Sequence, residues 1–396
     1  MKHPRNFAAR LSAIRRDLHR NPEPPLAERR TAQRAAETLA ALGWRVRTGV
    51  GGTGVVALLR GRGRGPVVAL RADMDALPLH EKTGAPYRSR VPGWMHACGH
   101  DAHVAVVLGA AMLITPRRGE LAGSVKCLFQ PAEEIGAGAA ALVRDGALEK
   151  PRVDAVLGLH VWPDLPVGTI GLRAGPAHAA SDSFTIAVHG RGGHGAMPHR
   201  AVDVLVAAHA LYGALQTLAR TVDPLQPKVL SICAFSGGAA HNVLPDEAVM
   251  KGTLRTYDAA VRRDLLAAMR RAVAGIERMF GVRCEMNFPM HFPGVVNDEA
   301  LARFVSDRAR ALGRSVVEVE LSTGSEDFSW YQKRAPGLFF RLGARPRRPA
   351  GAFHNARFEI DEAALPIGAE LLADCALGYA AARPTACSAP SRRPAR

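Results

Sequence analysis

The order of strand-like and helix-like runs changes in the middle of this chain, and that change limits the fold more than any other feature. Near the N-terminus, Phe7, Leu11, Ile14 and Leu18 line one face of an amphipathic helix. Residues 27–42 (AERRTAQRAAETLAAL) read as a second helix, ending at Gly43. Strands are expected at 53–60 and 66–71, then an apolar helix at 104–115, a strand at 124–130, a helix at 139–145 and a strand at 153–160. Strands alternating with helices predict an α/β sheet with functional residues at strand ends. Beyond the Gly/Pro-rich GLRAGPAHAAS the order becomes strand 183–189, helix 202–220, strands 228–235 and 248–255, helix 259–280 and strand 282–288. That is β-α-β-β-α-β, the ferredoxin-like order. After FPMHFPG the α/β pattern resumes, with a helix over 298–312, a short helix near 326–332, a strand over 337–341 and a last helix over 361–382. The chain therefore reads as a two-domain α/β protein. A catalytic domain with a central mixed sheet takes residues 1–176 and 292–396, with a disordered tail from about 384. A ferredoxin-like domain is inserted over 177–291.

Length agrees, since 396 residues exceed one ordinary core. A hydrophobic share of 47% argues against disorder. No continuous apolar run reaches the roughly 18–20 residues of a membrane span, so no membrane partner is expected. The basic N-terminus lacks an apolar signal region, and the six cysteines show no framework spacing. A cytoplasmic protein with free thiols is the expectation. The net charge of +16 raises nucleic-acid binding. The basic residues are mostly Arg and spread along the chain, and only SAPSRRPAR is compact. No nucleic-acid partner is expected; the charge fits an Arg-rich coding bias that also attracts anionic substrates.

Four segments carry chemistry. MHACGHDAH (95–103) puts Cys98, His100 and Asp101 in a Gly-containing loop before an apolar helix. Thiolate, imidazole and carboxylate bind borderline transition metals, although a polar loop can gather them by accident. FQPAEE (129–134) ends a strand, turns at Pro131 and presents Glu133 and Glu134. Adjacent side chains diverge, so one can bind metal while the other accepts a proton; a solvated helix start is the plain alternative. LGLH (157–160) places His160 where α/β proteins hold their sites, or simply in a core. His354, in Phe353-His354-Asn355, is by itself an ordinary late histidine. Together these donors match the five or six groups a two-metal site needs, with ions roughly 3.5–4 Å apart.

Ten ordered segments carry a resemblance: RRDLHRNPE, RADMDALPL, MHACGHDAH, FQPAEE, GLH, GGHGAMPH, HNVLPD, GTLRT, GSEDFSWY and HNARFEIDE. Over about residues 10–380 the chain resembles the hippurate hydrolase, N-acyl-amino-acid amidohydrolase and auxin-conjugate hydrolase branch of the aminoacylase/carboxypeptidase G metallopeptidases. The resemblance implies a metal-dependent amidohydrolase acting on small N-acyl amino acids with two divalent ions per chain, Mn²⁺, Zn²⁺ or Co²⁺. It implies Cys98 as bridging ligand, with His100, Glu134, His160 and His354 completing both metal spheres. It implies Glu133 as general base and Asp75 as a residue orienting a ligand. Asp73 stands where other branches carry a ligand His, and stays outside the metal set. His194 is implied to reach the oxyanion in a neighbouring subunit of a homodimer, and Asn242 and Arg255 to hold the substrate. Gly195 replaces the usual Ala and Leu244 a common Ile; neither touches a ligand. Rival readings are a dipeptidase-like or small-amide hydrolase on the same site, a cysteine hydrolase using Cys98 with His100, and a non-catalytic binding protein.

Overall fold

The computed structural model describes residues 5–381; the basic C-terminal tail lies outside the described residues. The chain divides into two compact units, one of residues up to 174, 297–319 and from 330, the other of 175–296 and 320–329. The insert thus begins at Gly175 rather than 177 and runs to Val296 rather than 291. The segment Glu320–Ser329 joins it instead of the catalytic domain. The reason is backbone pairing: Ser322 donates to the Ala177 carbonyl at 2.9 Å, and Ala179 donates back to Ser322 at 3.0 Å.

The first unit is built on an eight-stranded mixed sheet in the order Arg45–Val50, Gly54–Arg60, Ser124–Gln130, Val67–Asp73, Ala155–Trp162, Gly337–Gly343, Ile170–Leu172, Val316–Glu318. The four central strands, from Ser124–Gln130 to Gly337–Gly343, run parallel. Their carboxyl ends therefore share one edge of the sheet, the position where open α/β sheets build sites. Parallel strands covered on both faces read as continuous apolar runs. Val67–Asp73 and Ser124–Gln130 are buried at every position.

Helix His100–Ile114 is buried at all of its residues, as the apolar run from Val104 onward requires; His100, Asp101 and His103 are the buried polar groups of its first turn. It packs with helices Phe7–Arg20 and Ala364–Ala381 through Leu11, Leu18, Leu108, Leu365 and Leu372. The approach is closest at Gly109, where a Cβ would lie 2.9 Å from both Ala369 and Leu11. Helix Ala364–Ala381 is long and apolar enough to cross a membrane by length and composition, although Glu370 and Asp374 interrupt its apolar run. It is 72% buried and serves as a core helix.

The second unit carries the βαββαβ order. Its antiparallel sheet runs Lys228–Gly237, Glu247–Thr256, Ala180–His189, Arg283–Phe292. Phe184, Ile186 and Val188 alternate inward along one strand and pack under helices Val204–Leu218 and Ala259–Phe280, against Leu211, Leu215, Met269 and Val273. Each helix is started by an aspartate side chain that accepts two backbone N–H groups, Asp203 and Asp258. Gly281, at φ 65°, ends the second.

Candidate metal centre

The chemistry-bearing side chains of the first unit gather at the carboxyl ends of the central strands. Asp75 follows Val67–Asp73, Glu133 and Glu134 follow Ser124–Gln130, and His160 lies in Ala155–Trp162. The last strand extends past His160, pairing Trp162 with Gly343, so His160 stands within the strand rather than after it. His100 and Asp101 also differ from the expected loop. They form the first turn of the buried helix, which starts at 100 and not 104. Gly99 makes this possible at φ 93°, where a Cβ would sit 2.4 Å from the Val161 Cγ2. His354 arrives last and is tied to the Cys98 loop by its N–H, which donates to Ala97 O at 2.9 Å.

Two triads of donor atoms form, each with its members within 4.8 Å of one another: Cys98–His100–His160 and Cys98–Glu134–His354. Cys98 belongs to both, the place of a bridging ligand. Its Sγ lies 3.4 Å from His160 Nε2, and Glu134 Oε1 lies 3.4 Å from His354 Nε2 and 3.8 Å from His100 Nε2. Donors around one tetrahedral ion with bonds of 2.0–2.3 Å are spaced by about 3.3–3.8 Å, so the spacing fits a metal.

Hydrogen bonding points the lone pairs inward. The His100 Nδ1–H donates to the Asp75 carbonyl at 2.9 Å, and the His160 Nδ1–H to the Val161 carbonyl at 2.7 Å. With Nδ1 engaged by a carbonyl, each Nε2 is directed at the cluster. His100 Nε2 and Glu134 Oε1 are buried and make no hydrogen bond, a costly arrangement that a cation relieves. Burial, reinforced by the charge of Glu134, pushes the Cys98 thiol well above its ordinary range, and burial pushes the Glu134 carboxyl up to about 7. Both want positive charge nearby. A raised thiol is the reverse of what a cysteine nucleophile needs. The imidazole at 3.4 Å from the sulfur is His160, oriented by a carbonyl.

Asp75 does more than orient one imidazole. Its two carboxylate oxygens accept the N–H groups of Glu133 at 3.1 Å and Glu134 at 3.0 Å. Glu133 is buried, with Oε2 4.0 Å from His100 Nε2. The sequence reading missed one supporting pair, although His103 stood in the quoted MHACGHDAH. Its Nε2 accepts the Val161 N–H at 3.0 Å, so its Nδ1–H donates to Asp73 at 2.6 Å. The other Asp73 oxygen takes Arg71 at 2.7 Å. Asp73, His100 and His103 make a further such group, as do His100, Glu133 and Glu134; the bonds just described already use both ring nitrogens of His103.

The insert candidates fall in two places. His194 pairs with Val243 in a two-stranded ladder, and Gly195 N donates to Asn242 O at 2.9 Å. His194 is exposed, and its Nδ1 accepts the Ala196 N–H, leaving the Nε2–H free to donate. The departure at Gly195 has a local cause, since a Cβ there would lie 3.2 Å from the Asn242 carbonyl. Arg255 lies near the far end of Glu247–Thr256, about 27 Å along the strand from its start beside this ladder. One side-chain nitrogen of Arg255, Nη1, is buried without a hydrogen bond.

A parallel-centred α/β sheet carrying a thiol, three imidazoles and two carboxylates at its strand ends defines a metal-dependent hydrolase. The chain belongs to peptidase family M20/M25/M40, whose model matches residues 69–378. It is 40% identical over 373 residues to the N-acetylcysteine deacetylase of Bacillus subtilis (strain 168), covering 94% of this chain and 97% of that protein. It is 40% identical over 341 residues to the N-acyl-L-amino acid amidohydrolase of Geobacillus stearothermophilus, covering 85% and 92%. Among solved structures it superposes on the Bacillus subtilis YXEP protein, a dinuclear metal binding peptidase from the M20 family. The TM-score is 0.82 at 38% identity, with 94% and 98% covered. The family resemblance and the fold expected from the sequence are both borne out: this is an amidohydrolase of the M20 type, acting on C–N bonds.

Proposed function

We propose that the chain hydrolyses N-acyl amino acids, N-acetyl, N-benzoyl or similar, to a carboxylic acid and a free amino acid. The observation that carries this reading is the pair of triads sharing Cys98, with Glu133 beside them but outside both. Cys98, His100, Glu134, His160 and His354 would hold two divalent ions, Mn²⁺, Zn²⁺ or Co²⁺, which when bound would supply Lewis-acid polarisation of the acyl carbonyl and acidify water. Glu133 accepts the proton of the attacking water as the new C–O bond forms, then delivers it to the amide nitrogen as the C–N bond breaks. Asp75 holds Glu133 at that distance through its amide. Arg255 receives the substrate carboxylate, and Asn242 the amide region.

His194 is read as donating its Nε2–H to the acyl oxygen of a partner subunit's substrate. Arg255 lies about 27 Å along its strand from Glu247, the end that follows the His194–Asn242 ladder in sequence, and this supports the reading: the two ends of one insert strand cannot hold one small substrate. An edge supports it too. Strand Lys228–Gly237 is unpaired on one side and exposes Val229 and Phe235, and Tyr212 of the neighbouring helix stacks on Phe235 at 6.3 Å. Apolar strand edges are commonly paired or covered, and an isologous dimer does both.

Chelation tests the proposal. Removing metal should abolish release of amino acid from a panel of N-acetyl, N-benzoyl and longer N-acyl amino acids, and a divalent ion should restore it. Full activity in protein shown metal-free by elemental analysis sinks it. Faster turnover of dipeptides than of every N-acyl amino acid moves the substrate class to the dipeptidase-like reading.

A further inference from the structure

The turn that carries Glu133 and Glu134 is held by more than Asp75. Ala132 precedes them at φ 53°, a backbone state that residues with a Cβ rarely adopt. Three successive amides, those of Ala132, Glu133 and Glu134, each donate to a carboxylate. Asp75 takes the last two. The first goes to Glu28, 104 residues away in sequence, whose Oε1 accepts the Ala132 N–H at 2.8 Å. The Ala132 carbonyl is fixed as well, accepting from Ala137 at 3.1 Å and Gly138 at 3.3 Å.

Glu28 is fully buried. A buried carboxylate is costly unless it is fully hydrogen-bonded, and a segment that only had to begin a helix has no need of one. Glu28 is not used as a helix cap: it precedes helix Arg29–Ala41 and makes no side-chain bond to that helix's amides. Its oxygens instead accept from Leu26 N at 3.0 Å, from the Thr53 hydroxyl and from Ala132 N. The same strap reaches the other chemical loop, because Glu23 O accepts the Ala76 N–H at 2.9 Å, next to Asp75.

We infer that Glu28 is a positioning residue for hydrolysis: by fixing the Ala132 amide it sets where the Glu133 and Glu134 carboxylates stand. The inference rests on the reading of Glu133 as base and Glu134 as ligand. It accounts for a charged group where an apolar one would pack, and for a non-glycine residue held at positive φ beside the base. Glu28 touches no metal donor itself. Burial pushes its carboxyl above the ordinary range, so an uncharged amide of the same shape can take its place.

The test uses Glu28→Met, which keeps the shape and removes both acceptors, Glu28→Gln, which keeps one, and Thr53→Val. Each is measured for metal content, for kcat and KM on an N-acyl amino acid, and for amide hydrogen exchange over residues 130–138 in metal-free protein. Glu28→Met should lower kcat about 10–100-fold, the cost of a misplaced catalytic group, with KM within about threefold. A lost metal equivalent in Glu28→Met also supports the inference, through Glu134. Exchange over the turn should speed up about tenfold, and Glu28→Gln should recover most of both losses. If Glu28→Met does not fold, Thr53→Val, which frees one Glu28 oxygen, should still speed exchange and lower kcat about 2–5-fold. Wild-type kcat in folded, metal-loaded Glu28→Met overturns the inference. So does unchanged exchange over the turn in Glu28→Met, or in Thr53→Val where Glu28→Met fails to fold. If the wild-type protein cleaves no amide at all, the proposed function fails; the exchange measurement then decides alone whether Glu28 holds the turn.

Discussion

Asp75→Asn probes the grip on the two chemical carboxylates with a change of one atom, at a side chain whose Oδ1 also lies 3.3 Å from His100 Nδ1. In the native chain both Asp75 oxygens accept backbone N–H groups, from Glu133 and Glu134, and the residue is buried. Asparagine keeps one acceptor and turns an NH₂ toward the other amide. A hydrogen bond to a charged group contributes about 1.5–3 kcal/mol, and a buried donor left facing a donor adds to the loss. About 2–3 kcal/mol should therefore be lost from this one substitution. In a unit of this size each kcal/mol lowers Tm by roughly 2–4 °C, so thermal unfolding should shift by about 4–12 °C. If the same energy holds Glu133 in place during reaction, kcat should fall by roughly 30–150-fold, at 1.4 kcal/mol per decade. The assay is release of free amino acid from an N-acyl substrate in metal-reconstituted protein, with metal content measured in parallel. KM should move little, because the contact acts on the reacting groups rather than on substrate. A variant with native Tm and kcat within twofold would refute the reasoning, since it would mean the two amides need no carboxylate.

Three further outcomes follow from the same geometry. Glu133→Gln should lower kcat by about 10²–10⁴ while metal stays bound, whereas Glu134→Gln should lose metal; the opposite pattern means the two carboxylates are swapped. Co-expressed chains bearing Glu133→Gln and His194→Ala should recover roughly a quarter of wild-type activity, because about half the dimers are mixed and each has one intact site; verified heterodimers without recovery remove the shared site. Asp101→Asn should cost about 3–5 kcal/mol in denaturant unfolding, because Asp101 accepts from Arg15 at 2.7 Å and His19 at 2.8 Å, all three fully buried. A loss below 1 kcal/mol would show that Glu362, 3.3 Å from Arg15, is enough to compensate the guanidinium.

The donor residues were legible because each sits in a short segment whose residue types state its chemistry: Cys98 and His100 beside a glycine, Glu133 and Glu134 after a strand and a proline. What joins them was not legible. The start of the helix at His100 depends on Gly99 meeting Val161, a contact made only when the strand Ala155–Trp162 is in place. Glu28 looks like an ordinary helix-start glutamate until the turn at Ala132 is seen beside it. The ferredoxin-like order was readable because inward residues alternate strictly and aspartates mark both helix starts. Strand Arg45–Val50 was missed because it is an edge strand of mostly exposed, charged or small residues, with only Val46 and Val50 to mark its inner face. Ile170–Leu172 and Val316–Glu318 are three residues each, too short to carry a period, and exist because neighbouring strands recruit them.

The position of Gly337–Gly343 has a consequence for how the chain is made. This strand lies between Ala155–Trp162 and Ile170–Leu172 in the sheet, yet it is synthesised after the entire insert. At about 5–20 residues per second, the roughly 175 residues from Trp162 to Gly337 take on the order of 10–35 s to emerge. Throughout that interval the nascent chain carries a buried-type apolar strand, AVLGLHVW, with an open edge on the ribosome. The inserted domain, with its own apolar interior, can fold in that window, but the catalytic sheet cannot close until Gly337–Gly343 has emerged. His354 follows later still, so the Cys98–Glu134–His354 triad is complete only after both elements have emerged. Chaperone demand during synthesis should concentrate on that waiting strand edge.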